Sequence, residues 1–175
     1  MAGGNEYVSM SGILKTKEIS RLFNIGDSFG SGKYGIIKLV EKKNYNKIRF
    51  AMKTIPLEPG YEDYVQREYD ILCKLDHPMV MNIVEAYFSP MEQALHLIVP
   101  LYEGGEVQES IEAKGYIDEA ETSRTIFQLL LSLRYMHDRQ ISHGDLKPEN
   151  IVYETKQTSG PKSYTRLIDF GFAVD

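Results

Sequence analysis

Aromatic and β-branched residues punctuated by glycine occupy the region from Phe23 to about Pro56. This pattern predicts strands joined by hairpins, in which residues 36–40 would face residues 48–53 across Asn44-Tyr45-Asn46. An antiparallel sheet is therefore expected in the first half of the chain.

A helix and a second pair of strands follow this sheet. Apolar residues recur at helical spacing from Glu62 to Leu75, and Asp76-His77-Pro78 would end that helix. Two more strands are predicted near residues 83–88 and 95–101.

The period becomes helical after Gly104-Gly105, most strongly from Glu119 to His137. A broad apolar stripe is expected on that helix, formed by Ile126, Leu129, Leu130, Leu133 and Met136. Residues 153–166 are predicted to be a loop between short strands at 150–153 and 166–168. The second half is thus predicted to be mainly helical.

The composition is that of a globular protein, with 42% hydrophobic and 26% charged residues among 175. The net charge of −5 argues against a nucleic-acid or membrane surface as the partner, and no run of about 18 apolar residues could span a bilayer. A lone cysteine, Cys73, fits a reducing compartment, so a cytoplasmic location is expected. Residues 1–20 show no sustained period and are expected to be a mobile extension.

Three glycines, Gly30, Gly32 and Gly35, lie between two predicted strands. Glycine lets backbone N–H groups approach phosphate oxygens closely, although a plain hairpin turn explains this motif equally well by itself. The strand that follows argues against a dinucleotide-binding fingerprint, which requires a helix at that point.

Two charged residues of opposite sign are predicted at apolar positions. Lys53 lies within an apolar strand, and Glu68 shares a helical face with Val65 and Leu72. A partly buried ion pair would keep the ammonium directed at an anion such as phosphate. The alternative is that Lys53 extends to solvent from a sheet edge while Glu68 marks the margin of the stripe.

The most specific signal is the ordered set His143-Gly144-Asp145-Leu146-Lys147-Pro148-Glu149-Asn150, followed by Asp169-Phe170-Gly171. Phosphoryl transfer requires a base near the attacking hydroxyl, a cation near the phosphate and ligands for magnesium. The side chains of this set have those chemistries.

On these motifs the chain resembles eukaryotic protein kinases of the serine/threonine class, and most closely the calcium/calmodulin-dependent group. The resemblance implies an α+β, two-lobe architecture with a complete antiparallel N-lobe and a partial, mainly helical C-lobe. The kinase domain would cover residues 21–175, with the N-lobe at about 21–100, the hinge at about 100–104 and the C-lobe at 105–175.

The resemblance implies that the chain binds ATP and Mg²⁺. The loop that covers the phosphates would be formed by Phe29, Gly30, Gly32, Tyr34 and Gly35. Lys53 would hold the α- and β-phosphates and pair with Glu68. Asp145 would orient or deprotonate the substrate hydroxyl, and Lys147 would steady the γ-phosphate. Asn150 and Asp169 would bind the metal.

By the same resemblance residues 97–106 form the hinge, with Val99 as a small gatekeeper. Adenine would receive backbone bonds from the Pro100 carbonyl and the Leu101 N–H. The walls of its pocket would come from Ile37, Ala51 and Val152. An internal hydrophobic column that joins the lobes would consist of Leu72, Ile83, His143 and Phe170.

Two departures from the family pattern affect the expected function. Gly144 replaces the arginine that usually precedes the catalytic aspartate, so control by activation-loop phosphorylation is not expected. The sequence also ends four residues after Gly171, which predicts a fragment of a kinase domain.

The predicted function is transfer of the γ-phosphoryl group of ATP to protein serine or threonine hydroxyls. Glu106 and Glu149 resemble the acids that select basic residues near the target site in protein substrates. The alternative is a truncated, catalytically weak or inactive fragment that binds nucleotide and acts as a regulatory or interaction module.

Overall fold

A computed structural model describes residues 13–32, 35–44, 48–58, 60, 62–156 and 164–175 of the chain. Within these residues the N-terminal lobe is built on one sheet of six strands in the order β1-β5-β6-β4-β3-β2. The strands are β1 Leu14–Lys15, β2 Phe23–Gly32, β3 Gly35–Lys42, β4 Arg49–Pro56, β5 Glu85–Ser89 and β6 Ala94–Pro100. All neighbouring pairs are antiparallel except β1 and β5, which are parallel.

Helix α1, Glu62–Lys74, packs one face against this sheet. Its buried residues, Val65, Tyr69, Ile71 and Leu72, join a core cluster with Ala86, Leu95 and Leu97 of the sheet. Helical spacing produces this face, as the sequence predicted. The bounds agree within one residue with the predicted helix.

The second lobe contains helices α2, Val107–Lys114, and α3, Glu119–His137, with strands β7, Ile151–Tyr153, and β8, Thr165–Leu167, paired antiparallel. Gly115 ends α2 in the left-handed conformation at φ 77°, which glycine adopts without steric cost. Asp118 begins α3 by accepting a hydrogen bond from the Glu121 N–H. The structure thus has the α+β, two-lobe architecture expected from the sequence.

The buried face of α3 differs from the predicted apolar stripe. Met136 is fully buried, but Ile126 and Leu130 are about half exposed. The buried positions include polar residues whose side chains are hydrogen-bonded, namely Glu121, Thr125 and Ser132. The helix is turned toward β7 and β8, where Glu121 accepts a hydrogen bond from the Tyr153 hydroxyl at 2.7 Å. Polar side chains of α3 are buried because their hydrogen bonds are satisfied, so apolar periodicity alone does not identify the buried face of this helix.

The end of the predicted mobile extension has defined contacts with the sheet. Residues 1–12 lie outside the described residues, but residues 14–15 form β1 and residues 19–21 form a turn of 3₁₀ helix. No apolar period marks this segment, because a two-residue strand at a sheet edge needs only backbone pairing.

Backbone hydrogen bonds join the two lobes next to the predicted site. The Met81 N–H donates to the Leu167 carbonyl, and the Leu167 N–H donates to the Met79 carbonyl, both at 2.9 Å. None of the helices in the described part of the chain is long and apolar enough to cross a membrane.

Candidate functional site

Strand β4 holds Lys53 in the centre of the sheet, between Ile37 of β3 and Leu97 of β6. Its side chain is buried, so the ammonium needs anionic partners. The Lys53 Nζ lies 2.6 Å from Glu68 Oε1 and 3.1 Å from Asp169 Oδ1. Burial alone would lower the pKa of Lys53, but the two carboxylates outweigh burial and raise that pKa above its ordinary value. The alternative of a lysine extending to solvent is therefore wrong.

Asp169 follows β8 and has a left-handed backbone at φ 60°, which is uncommon for a residue other than glycine. The next residue, Phe170, is fully buried and contacts His143 edge to face, with ring centroids 5.0 Å apart. Such strained backbone persists where the surrounding packing holds it. The buried Phe170 thus fixes the direction of the Asp169 carboxylate.

His143 connects this segment to the catalytic loop. Its Nδ1 accepts a hydrogen bond from the Asp145 N–H at 3.3 Å, and its Nε2 donates to the Ile168 carbonyl at 3.0 Å. Burial lowers the pKa of His143, so the ring is neutral at pH 7 and can both accept and donate. The backbone at Asp145 and the strand end before Asp169 are therefore held by one side chain.

The catalytic-loop residues converge on the Asp145 carboxylate. Lys147 Nζ lies 2.8 Å from Asp145 Oδ2, and the Asn150 amide nitrogen donates to the same oxygen at 3.1 Å and to the Asp145 carbonyl at 2.7 Å. The hydrogen bond from Lys147, supported by that from Asn150, lowers the pKa of Asp145. The Asp145 carboxylate is therefore charged at neutral pH.

The donors available for a cation are the Asp169 carboxylate and the amide oxygen of Asn150, whose nitrogen is directed at Asp145. The described residues contain no cluster of three or more His, Cys, Asp or Glu side chains that could hold a metal. Mg²⁺ commonly binds one or two protein oxygens and completes its shell with phosphates and water. The donor set therefore fits a magnesium ion that is shared with a nucleotide phosphate.

The residues predicted to surround adenine come from the N-terminal sheet, the hinge and β7 of the second lobe. Ala51 pairs with Val99 across β4 and β6, and both are buried. Val152 is also buried and forms a bridge with Glu106 at the end of the hinge. Other residues predicted at this site, Ile37, Pro100 and Leu101, are half-buried.

The glycine motif forms a hairpin between β2 and β3, in which Gly30 pairs with Ile37 and Gly32 pairs with Gly35. A Cβ at Gly35 would lie 2.3 Å from the Thr54 carbonyl oxygen, so close approach of β4 explains this glycine. Phe29 is exposed. Tyr34, which was assigned to the phosphate-covering loop, lies outside the described residues.

The predicted hydrophobic column is assembled in the core that joins the lobes. Leu72 and Phe170 belong to one buried cluster, Ile83 packs against that cluster, and His143 contacts Phe170. Helix α1 and the Asp169 segment therefore share one packed core, although 97 positions of sequence separate Leu72 and Asp169.

Gly144 has a structural role that the sequence interpretation missed. Its φ is 79°, and a Cβ there would lie 2.3 Å from the carbonyl oxygen of Phe172. Ser142 and Val174 also exchange backbone hydrogen bonds at 2.8 and 3.0 Å. The residues after Asp169 thus pack directly on the catalytic loop, and glycine at 144 is the feature of the sequence that could have indicated this approach.

Acidic side chains gather beside the hinge. Glu106 begins α2 in a capping box with Glu109. Burial raises the pKa of Glu106, and the carboxylates of Glu109, Glu149 and Glu112 add to this effect. Negative charge is therefore concentrated where the hinge meets the catalytic loop.

The family model described as "Protein kinase domain" matches residues 23–175. A calcium/calmodulin-dependent protein kinase of Emericella nidulans is 33% identical over 175 residues, which is 99% of this chain and 40% of that protein. Myosin light chain kinase A of Dictyostelium discoideum is 32% identical over 89% of the chain and 52% of its own length. Calcium/calmodulin-dependent protein kinase type IV of Rattus norvegicus is 30% identical over 91% of the chain and 32% of its own length. The chain spans about half or less of each of these relatives.

Proposed function

The chain belongs to the protein kinase domain family, and from this premise we propose that it binds ATP with Mg²⁺ and transfers the γ-phosphoryl group to serine or threonine hydroxyls of proteins. The observation that carries this function is the convergence of Lys53, Glu68 and Asp169, with ammonium-to-carboxylate distances of 2.6 and 3.1 Å. An ammonium held between two carboxylates points a fixed cation into a cleft where phosphates can bind.

The proposal assigns phosphate binding to Lys53 and metal binding to Asp169 and Asn150. The Lys53 ammonium neutralises the α- and β-phosphates, and Glu68 keeps it from turning away. Asp169 and the Asn150 amide oxygen would hold the Mg²⁺. When bound, that ion neutralises charge on the phosphates.

Asp145 orients the attacking hydroxyl by accepting its hydrogen bond. Because the bonds from Lys147 and Asn150 lower its pKa, this carboxylate is a weak base at neutral pH. It takes up the hydroxyl proton late, as the new oxygen–phosphorus bond forms and the bond to the β-phosphate oxygen breaks. Lys147 lies 2.8 Å away and supplies positive charge to the transferring group.

The test is phosphorylation of a basic protein with radiolabelled ATP and Mg²⁺. We expect Asp145→Asn to lower the rate by about 10²–10⁴-fold while it leaves the affinity for a fluorescent ATP analogue nearly unchanged. Asp138→Asn is the matched control, because Asp138 is exposed at the end of α3 and should not affect the rate.

Two results would contradict this function. Equal labelling by the parent chain and Asp145→Asn would mean that a contaminating kinase produces the signal. Nucleotide binding without any labelling would favour the alternative, a nucleotide-binding fragment that acts as a regulatory module.

We further propose that the acidic cluster at Glu106 and Glu149 favours substrates with basic residues before the target hydroxyl. A peptide library should show an upstream arginine preference that Glu149→Gln weakens. Glu119→Gln, at an exposed position in the first turn of α3 and outside this cluster, is the control. Indifference of the parent chain to upstream arginine would refute this specificity.

A further inference from the structure

Residues 13–19, called the strap here, precede the start of the family match at residue 23 but are docked on the sheet. Within the strap, Leu14 and Lys15 of β1 pair in parallel with Tyr87 and Phe88 of β5. The Thr16 N–H donates to the Phe88 carbonyl at 3.0 Å. The strap therefore covers an edge of β5 that would otherwise expose backbone donors and acceptors.

The other end of the strap is fixed by side chains of the β5–β6 turn. The Ser89 hydroxyl donates to the Lys17 carbonyl at 2.9 Å, and the Ile19 N–H donates to Glu92 Oε2 at 3.3 Å. The Ile19 side chain is buried in a cluster with Phe23. The two hydrogen bonds join residues 72 and 73 positions apart, so the docking is tertiary structure and not a local turn.

Ile13 immediately precedes β1. An extended backbone at that position would place Ile13 and Leu14 on opposite faces of the sheet, because side chains alternate along a strand. Continuing the parallel register places Ile13 beside Ala86, which belongs to the core cluster under α1. Ile13 is half-buried and packs against that cluster, whereas Leu14 is 53% exposed. Only the first of these two neighbours therefore contacts the core that supports the helix.

We infer that the strap is a built-in positioning element for α1, and that Ile13 is the positioning residue through which it acts. Glu68 lies on α1 between Val65 and Tyr69, and both of these residues belong to the cluster against which Ile13 packs. In this role, packing of the cluster fixes α1 on the sheet and so maintains the 2.6 Å contact between the Glu68 carboxylate and the Lys53 ammonium. This role rests on the proposed function, because the Lys53–Glu68 pair matters for catalysis only if the ammonium binds phosphates.

The test compares Ile13→Ala with Leu14→Ala in the full chain by hydrogen–deuterium exchange and mass spectrometry. Removing a half-buried side chain should speed exchange in α1 roughly tenfold for Ile13→Ala, and less than about twofold for Leu14→Ala. The affinity for a fluorescent ATP analogue with Mg²⁺ should fall several-fold in the first variant only. Ile13→Asp and Leu14→Asp repeat the comparison with a larger perturbation.

Faster exchange in the strap of Ile13→Ala without any change in α1 would overturn this role, and so would equal effects of the two alanine variants. If Ile13→Asp unfolds the chain, the comparison of Ile13→Ala with Leu14→Ala decides whether the strap positions α1. The exchange measurement needs no nucleotide. Failure of the parent chain to bind the ATP analogue would therefore count against the proposed function. The exchange rates in α1 would still test the role of the strap.

Discussion

The Lys53 ammonium lies 3.1 Å from the Asp169 carboxylate, although 116 positions of sequence separate the two residues. Lys53 comes from the centre of the N-terminal sheet, and Asp169 follows the last strand of the second lobe. Their approach joins the two lobes at the candidate site. Substitution of these charged residues therefore tests the electrostatic balance of that site.

The ion pair of Lys53 and Glu68 should show strong coupling in a double-mutant cycle. Lys53→Met leaves two carboxylates without their cation, so it should lower the free energy of unfolding by about 3 kcal/mol, more than Glu68→Gln does. The double variant should be less destabilised than the sum of the single variants, by about 1–3 kcal/mol.

Urea denaturation measures this cycle, with Lys114→Met as the control. Lys114 is exposed in the last turn of α2, and its replacement should change the free energy of unfolding by less than about 0.5 kcal/mol. Additive effects of Lys53→Met and Glu68→Gln would mean that the two side chains do not stabilise each other.

Gly144→Ala should be more destabilising than Gly115→Ala, although the two glycines have nearly the same φ, 79° and 77°. A Cβ at Gly115 meets nothing within 4 Å, so this variant reports backbone strain alone, about 1 kcal/mol. A Cβ at Gly144 adds the contact with the Phe172 carbonyl, for a total of about 2–3 kcal/mol. Thermal denaturation compares them, and equal shifts in Tm would show that the Phe172 segment moves aside at no cost.

The stability of the chain should fall as the pH drops below about 6.5, and His96 should contribute to this fall. Burial lowers the pKa of His96 below its ordinary value of 6.5, against the opposing effect of Glu92. The unfolded chain therefore takes up a proton at a higher pH than the folded chain. This contribution to stability is complete above pH 6.5 and is lost as the pH falls toward the folded-state pKa.

His96→Gln should reduce this pH dependence, which urea denaturation at several pH values would measure. The dependence should not vanish, because burial also lowers the pKa of His77 and His143. His137→Gln, at an exposed position on α3, is the control and should keep the parent slope. An unchanged slope in His96→Gln would contradict the prediction.

Tyr153→Phe should destabilise the second lobe by about 1–2 kcal/mol, because it removes a buried hydrogen bond to Glu121 and keeps the ring. Tyr116→Phe, at an exposed position, should have almost no effect. The two variants can be compared by chemical denaturation. Equal stabilities would mean that the bond to Glu121 contributes nothing to folding.

The sequence alone determined the longer elements and the residue types that the candidate site contains. Helical and strand periods predicted α1 and α3 with their bounds, because local spacing decides which backbone geometry can keep apolar side chains together. Charges at two apolar positions suggested an ion pair of Lys53 and Glu68, since an uncompensated buried charge is costly, but a solvent-extended lysine remained the alternative until the structure showed the contact.

Only the tertiary structure decided which surfaces meet. Hydrophobic periodicity identifies the side chains that avoid water, but it does not identify the element that packs over those side chains. It therefore failed for Ile126 and Leu130 of α3, because another face of the helix is buried, on which Glu121 accepts a hydrogen bond from the Tyr153 hydroxyl. The strap docks on β5 through backbone hydrogen bonds. Nearly every residue type can form such bonds, so no sequence pattern predicts this docking.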